Sequence, residues 1–506
     1  MRRACSEFLW GKTAKFTYLF VAAAIMLFTC LGSREIWTQE HRWADIVYAM
    51  LYHHDYLHPT LNGNDYYDKP LLSYWLIVGL AKLFGELTTW VMRLPSALAG
   101  LLAVGSIYYL GTHLKDRRLG LLAGWMLITT FYFIFWARTS SADMLNLAGT
   151  TVAVAWYFAK KSQISFFNYV IFFLILAVTA LCKGLVGPAV ACLAILPDLL
   201  MNQTWKKHLR FSGVFALIPA ALVYMLPFWA SVHFGGNHYG EDGLMLVYRE
   251  NILRYFQPFD HKDPIYAYLI YLPLYLLPWT VFFIPALIAL KPRWKTMSVH
   301  SKWMVWSVLL LFLFFTLSGS RRNYYILPVV PFAILLTADW ILAGADTLKR
   351  NILAGRVVVV FFVLFFISFD VGQWVYYSGG GMNTFTQKLQ EYTRPIKPWS
   401  QWNIVMLDPE SKIRFYLGLS PEVKNYSIDG EARDQQTVAS LLTAWPFLRE
   451  ANRRTDTIFI SRKQHEKELQ HILTNYDVIE AEPIYGERLF KKHDTLVIAF
   501  VPKKNE

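Results

Sequence analysis

Eleven long apolar runs divide this sequence from near its start to residue 371: 16–31, 94–110, 119–136, 142–159, 166–181, 184–201, 211–232, 265–290, 303–317, 324–342 and 357–371. A bilayer core about 30 Å thick takes about 20 residues of helix, with a range of about 17–25. The chain is 55% hydrophobic and only 17% charged, where a soluble domain carries about a quarter charged residues. These features specify an α-helical polytopic membrane protein.

The basic residues fix its expected orientation. With the N-terminus in the cytoplasm, alternate loops carry Lys115/Arg117/Arg118, Lys160/Lys161, Lys206/Lys207/Arg210, Lys291/Arg293/Lys295/Lys302 and Lys349/Arg350. Each is basic, as the positive-inside rule requires. The net charge of +13 therefore reads as membrane topology, with no single basic face for nucleic acid. The first run follows Arg2, Arg3, Lys12 and Lys15 and lacks a small-residue cleavage site, so a retained anchor is expected. The four cysteines, Cys5, Cys30, Cys182 and Cys192, lie in the N-terminal tail or in apolar runs and imply no disulfide framework. The run 71–84 is short for a span and reads as a helix at the outer membrane surface. Counted instead as a span with a partner, it raises the total from eleven to thirteen.

The first long polar loop, 38–69, concentrates Glu40, Asp45, Asp55, Asp65, Asp68, Arg42 and Lys69 among aromatic residues. Within it Trp43, Ile46, Val47, Met50 and Leu51 fall at helical spacing, an apolar stripe on a helix along the interface. Residues 378–381 (Ser-Gly-Gly-Gly) read as a flexible linker, and beyond them the chain turns polar. β-like runs at 404–407, 457–460 and 495–501 alternate with helical stretches at 437–452 and 464–474, a small α/β domain. The expected division is a transmembrane domain over 1–378, with its first periplasmic loop at 32–93, and a soluble α/β domain over 382–506. The tail has no Gly-rich phosphate loop, nucleophile elbow or Cys/His metal spacing, which favours a structural, regulatory or partner-binding role.

The outer loops bring isolated carboxylates (Glu40, Asp68, Asp143) to the same face as single cations (Arg42, Lys69, Arg138, Lys183, Arg254, Arg321, Arg322). Ionisable groups at span ends are costly and mark function by default. This mixture suits an anionic, phosphorylated ligand held by Lys and Arg while a carboxylate acts on a hydroxyl or leaving group. Each residue also has a plainer reading. A lone Arg or Lys at a span end snorkels to headgroups, and Asp143 at the start of a span is open to helix N-capping. His41, His53, His54 and His58 lack ligand spacing, so no metal and no other cofactor is expected. The aromatic runs are mostly interfacial belt.

At these residues the sequence resembles the C-type glycosyltransferases, multispanning enzymes that use polyprenyl-phosphate sugar donors. Within them it is most similar to the branch of lipid A aminoarabinose transferases and protein O-mannosyltransferases. The resemblance is carried by Gln39-Glu40-His41-Arg42-Trp43, Leu61-Asn62-Gly63, Tyr67-Asp68-Lys69-Pro70, Tyr74-Trp75 and Arg93-Leu94-Pro95-Ser96-Ala97. It continues through Ala137-Arg138, Asp143, Lys183-Gly184, Arg249-Glu250-Asn251, Pro278-Trp279 and Ser320-Arg321 to Tyr325-Ile326-Leu327-Pro328. In that family the first loop reads Asp-Glu, with the Asp essential. Here Gln39 stands at the Asp position, and Gln neither takes a proton nor carries charge.

The resemblance implies that Glu40, Asp143 and Asp68 are the catalytic carboxylates, and that Lys69, Arg42, Arg321 and Tyr325 hold the donor phosphate. It implies inverting displacement at the anomeric carbon with polyprenyl phosphate as leaving group. The expected function is transfer of one sugar to a lipid A-type glycolipid on the periplasmic face of a bacterial inner membrane. A protein or another envelope glycan is the alternative acceptor. A lipid or solute transporter is the competing class, disfavoured because no internal repeat is visible and the charges sit at one face. The sequence gives no oligomeric state.

Overall fold

A computed structural model describes the chain except residues 1–3, 38, 68, 209–210, 235–246, 259–260, 344–346, 410–411, 427–437, 491–495 and 504–506. The chain divides into two compact units. One comprises Met1–Leu31, Tyr56–His58 and Tyr66–Ser368, and the other Gly32–Asp55, Pro59–Asp65 and Phe369–Glu506. The first polar loop is thus shared between them, and its Glu40 segment belongs with the tail.

The first unit is a helical bundle. Thr89–Leu114, at 26 residues, is about 39 Å long at 1.5 Å per residue and packs against Phe16–Phe28, Arg117–Leu127 and Ala142–Lys160. Its first turn is capped by Thr88, whose hydroxyl accepts the Val91 N–H at 3.2 Å. Leu27, Ala97, Val104, Met126, Val154 and Ile334 belong to the shared apolar core. Asn323–Ile341 is buried along 89% of its apolar stretch and Gly213–His233 along 28%, so the former is central and the latter peripheral.

Every one of the eleven apolar runs contains helix, but they are not eleven straight spans. Among the described residues six helices are long and apolar enough to cross a membrane, or seven if the pair Arg117–Leu127 and Phe131–Ala137, bent by 71°, counts as one. The run at 265–290 is broken into Ala267–Tyr275, Thr280–Ile288 and Leu290–Arg293. The first break, at 276–279, contains Pro278, while Pro273 and Pro285 lie inside the short helices; each proline lacks the N–H a continuous helix needs. Leu72–Phe84 is a separate helix of 13 residues, too short to span. It buries Tyr74, Ile77, Val78 and Ala81 and leaves Leu83 and Phe84 exposed.

At the end of the bundle assigned to the cytoplasm, two buried carboxylates take up basic loop residues. Asp198 accepts hydrogen bonds from Lys161 Nζ, Tyr157 Oη and Asn202 Nδ2, each at 2.8 Å. Asp339 accepts from Lys115 Nζ at 2.8 Å and Ser301 Oγ at 2.9 Å.

The second unit contains a short hairpin, β1 (Thr60–Leu61) and β2 (Asn64–Asp65), and a five-stranded sheet. The strands β3 (Asn403–Leu407), β4 (Asn425–Tyr426), β5 (Thr457–Arg462), β6 (Tyr476–Glu480) and β7 (Val497–Pro502) lie in the order β4-β3-β5-β7-β6. β4, β3 and β5 pair in parallel, and β7 pairs antiparallel with both β5 and β6. Alternate residues face opposite sides. Met406, Ile460 and Ala499 pack with Phe385 and Leu389 on one face, while Leu407, Phe459 and Phe500 pack with Trp445 and Leu448 on the other. The stretch expected as one helix over 437–452 stops after Val438–Ala444 and resumes as the 3₁₀ turn Pro446–Arg453, because proline sits at its start. The glycines read as a flexible linker are instead ordered: Gly381 donates to Glu482 O at 2.8 Å and opens the helix Gly381–Thr393.

Candidate functional site

In the helical unit the site is built around Asp143, near the start of Ala142–Lys160. The helix is capped by Ser141, whose Oγ accepts the Asp143 N–H at 2.9 Å and donates to Asp143 Oδ2 at 2.7 Å. The capping duty open to Asp143 therefore falls to its neighbour, and Asp143 Oδ1 is left to form an ion pair with Lys183 Nζ. Asp143 is 8% exposed, a setting in which a charge is kept by its partners.

Lys183 is the last residue of Phe166–Lys183, and Gly184 follows at φ +96°. This left-handed turn favours glycine, and a Cβ there would press on Asn251 Oδ1. That oxygen accepts the Leu185 N–H at 2.7 Å, so the segment around Asn251 braces the turn that presents Lys183. The Lys183 ammonium lies 5.2 Å from the Tyr325 ring centroid and 5.9 Å from that of Tyr324, within cation–π reach.

Tyr325 connects a second charge cluster. Arg254 Nη2 donates to its hydroxyl at 3.3 Å, Arg254 Nε to Ser320 Oγ at 3.4 Å, and Arg254 Nη1 to Glu250 Oε2 at 2.6 Å. The structure thus brings Asp143, Lys183, Tyr325, Arg254 and Glu250 into one chain of contacts, near buried Tyr324 and Trp136. It holds two carboxylates, two cations and an aromatic wall, a set able to bind and polarise a phosphorylated ligand. Among the described residues, no three of His, Cys, Asp or Glu converge on a metal position.

The other expected site residues are placed differently. Arg321, expected to line the donor cavity, points its guanidinium at main-chain carbonyls: Asp263 O at 2.7 Å, Thr316 O at 3.4 Å, and Ser318 O. It acts here as a brace for the turn before Tyr325. Arg138, 3% exposed, donates to Met26 O at 2.7 Å. Lys69 is half-buried in the helical unit, just ahead of Leu72–Phe84. Asp68 lies outside the described residues.

Glu40 and Arg42 lie in the second unit. Glu40 is fully buried at the start of Glu40–His53. Its Oε2 pairs with Arg34 Nη2 at 3.4 Å and accepts the Trp37 N–H at 2.9 Å. Gln39 makes no side-chain cap bond to this helix, and Arg42 is exposed. On this helix Asp45 is raised from 3.8 to about 7, mainly by burial, with Arg414 pulling the other way. Arg34 and Glu250 carry no weight in the expected site, although Glu250 stands in the quoted triplet at 249–251. For Glu250 the triplet and its spacing of four from Arg254 were the available signals, whereas the six-residue separation of Arg34 and Glu40 offers none.

Comparison with known proteins adds what this chain is similar to. Residues 68–230 match the model of the dolichyl-phosphate-mannose-protein mannosyltransferases, a stretch that contains both Asp143 and Lys183. The undecaprenyl phosphate-alpha-4-amino-4-deoxy-L-arabinose arabinosyl transferase of Shewanella sediminis is 25% identical over 439 residues, 84% of this chain and 75% of that one. Its counterpart from Aeromonas salmonicida is 29% identical over 332 residues, 63% of this chain and 58% of its own. Among solved structures, ArnT from Cupriavidus metallidurans bound to undecaprenyl phosphate superposes with a TM-score of 0.72 at 17% identity, over 96% of this chain and 97% of that one. The chain is thus similar in sequence to the aminoarabinose transferases along most of its length and shares the fold of ArnT from Cupriavidus metallidurans.

Proposed function

We propose that this protein is an inner-membrane glycosyltransferase that moves a sugar from a polyprenyl-phosphate donor to a lipid A-type glycolipid at the periplasmic face. The observation that carries this is the part-buried Asp143–Lys183 pair beside Tyr325, inside a chain similar to an aminoarabinose transferase over 84% of its length. In the reaction an acceptor oxygen forms the new bond to the anomeric carbon while the bond from that carbon to the phosphate oxygen breaks. The electron pair leaves with polyprenyl phosphate, and configuration inverts.

Lys183 and Arg254 are the cations assigned to the phosphate, joined by Lys69 on the resemblance. Charge that builds on the leaving oxygen is offset by fixed positive groups, the largest single contribution such a site makes. Tyr325 presents its ring to Lys183 and its hydroxyl to Arg254, so one side chain contacts both cations. Asp143 keeps Lys183 aimed until the phosphate competes for it. Where the acceptor is a lipid A phosphate it arrives deprotonated, so no strong base is needed, and Gln39 at the family's Asp position is tolerated. For Glu40, Arg42 and Asp68 the role rests on the resemblance alone, and Arg321 is assigned to bracing Tyr325.

The test is a purified transfer reaction in detergent with undecaprenyl-phosphate aminoarabinose and lipid A. The expected product is lipid A heavier by one aminoarabinose. Donor left intact, with lipid A unchanged, would overturn the proposal.

A further inference from the structure

The tail of this chain has no role in the reaction just described, yet it shares a compact unit with Gly32–Asp55, the segment that carries Glu40. The contacts that join them are polar, directional and mostly sheltered. Glu35 is the centre. Its Oε2 pairs with Lys412 Nζ at 2.7 Å, with the two side chains only 11% and 15% exposed. Its Oε1 accepts the Met382 N–H at 2.7 Å.

The adjoining Gly381 sits at φ +87°, and a Cβ there would collide with Glu35 Oε1, so the backbone is shaped to admit that carboxylate. One residue on, the Ile36 N–H donates to Tyr416 Oη at 2.9 Å. Further along, Tyr48 Oη donates to Gly418 O at 3.0 Å, and Asp45 faces Arg414. Arg414 is itself fixed by Ser420 O at 2.6 Å and Val423 O at 2.8 Å. Lys412, Arg414, Tyr416 and Gly418 all belong to one short helix and its ends, Ile413–Leu417. A single turn of the tail therefore grips the loop segment on both sides of Glu40.

The geometry is suited to locating a side chain. Between Glu35 and Glu40 the chain could reach about 17 Å if loose. Anchored at Glu35 and Ile36, and again at Tyr48, it holds the start of Glu40–His53 in one place. An exposed ion pair contributes little, but the Glu35–Lys412 pair is sheltered and flanked by the hydrogen bonds from Met382 and Ile36, so these contacts act together.

We propose that the α/β tail is a clamp that sets the position of Glu40, with Lys412 and Tyr416 as its positioning residues. This rests on the reading of Glu40 as part of the transferase site. Neither residue touches substrate; both act through the segment they hold. Loosening them lowers turnover and leaves donor affinity nearly unchanged, because displacement of a group by about 1 Å costs up to about a hundredfold in rate.

The experiment compares the full-length wild type with Lys412→Met, Lys412→Arg, Tyr416→Phe and Lys388→Ala. Lys388 forms an ion pair with Glu482 elsewhere in the tail and controls for general weakening. Transfer kinetics and hydrogen exchange over residues 32–55 are measured on each. The expected result is a fall in kcat of about ten- to a hundredfold for Lys412→Met and Tyr416→Phe with KM within about twofold. Exchange over 32–55 is then faster in both, while Lys412→Arg and Lys388→Ala stay near wild type. Unchanged kcat in both variants, or an equal loss in Lys388→Ala, overturns the clamp. Unchanged exchange over 32–55 also overturns it, whatever the activity. A wild type that transfers no sugar sinks the functional reading instead, and the exchange result still decides the clamp.

Discussion

At the scale of single residues, the chemistry depends on which charges are already engaged within the fold. Asp143 and Lys183 are 40 positions apart, and the sequence marks both only as isolated charges at span ends. It cannot show that Ser141 takes the capping bond and frees Asp143 for Lys183. Nor can it separate Arg254 from Arg321, since guanidiniums that face carbonyls and those that face a tyrosine hydroxyl look alike in one dimension. Two outcomes follow. Lys183→Met lowers kcat by about 10²–10³-fold, the scale of losing one fixed group that stabilises developing charge, while Lys183→Arg retains part of it. Steady-state kinetics in the purified reaction checks this, and equal activity in Lys183→Met would remove Lys183 from the phosphate. Arg254→Met lowers transfer more per folded molecule than Arg321→Met, whose cost falls mainly on thermal stability through the lost carbonyl contacts. The reverse order would return Arg321 to the donor site.

At the scale of elements, the apolar runs were legible because length and hydrophobicity alone identify a helix in a bilayer. Their breaks were less so. The stretch 265–290 reads as a single span, yet Pro273 and Pro285 lie in separate short helices. The strands β3, β5 and β7 were visible as β-branched and aromatic runs, whereas the two-residue strand β4 has no such pattern. The helix Glu40–His53 matches the expected stripe through Ile46, Val47 and Met50, all buried.

One group on that helix carries a pH signature. The folded protein holds the Asp45 proton up to about pH 7, against an ordinary value of 3.8. Between these values the native state binds a proton that the unfolded chain does not. Stability of this unit therefore falls as pH rises from about 4 to about 7. Protease resistance of residues 32–55 is expected to be greater at pH 5 than at pH 8, with the difference reduced in Asp45→Asn. A pH difference that persists undiminished in Asp45→Asn would show that another group is responsible. The cap has its own prediction: Ser141→Ala costs about 1 kcal/mol and also loosens Asp143, so melting temperature and kcat fall together.

At the scale of the whole molecule, the polytopic class, the α/β tail and the C-type glycosyltransferase fold were all legible. The first two come from hydropathy and alternation, the third from the ordered motifs between Gln39 and Pro328. The grouping of the Glu40 segment with the tail was not. It is made by contacts between residues such as Glu35 and Lys412, 377 positions apart, for which a lone sequence offers no periodicity. The basic loops illustrate the same point. Lys115 and Lys161 signal topology by their sign, but the structure also uses them to neutralise Asp339 and Asp198.

The central claim is transfer of a sugar onto lipid A, and mass spectrometry of lipid A from cells tests it most directly. Cells with the wild-type chain, without it, and with Lys183→Met are compared. A sugar-sized addition on lipid A is expected in the first and absent from the other two. Lipid A that keeps the same mass when the chain is removed would contradict the claim and turn the search to glycoproteins or other envelope glycans.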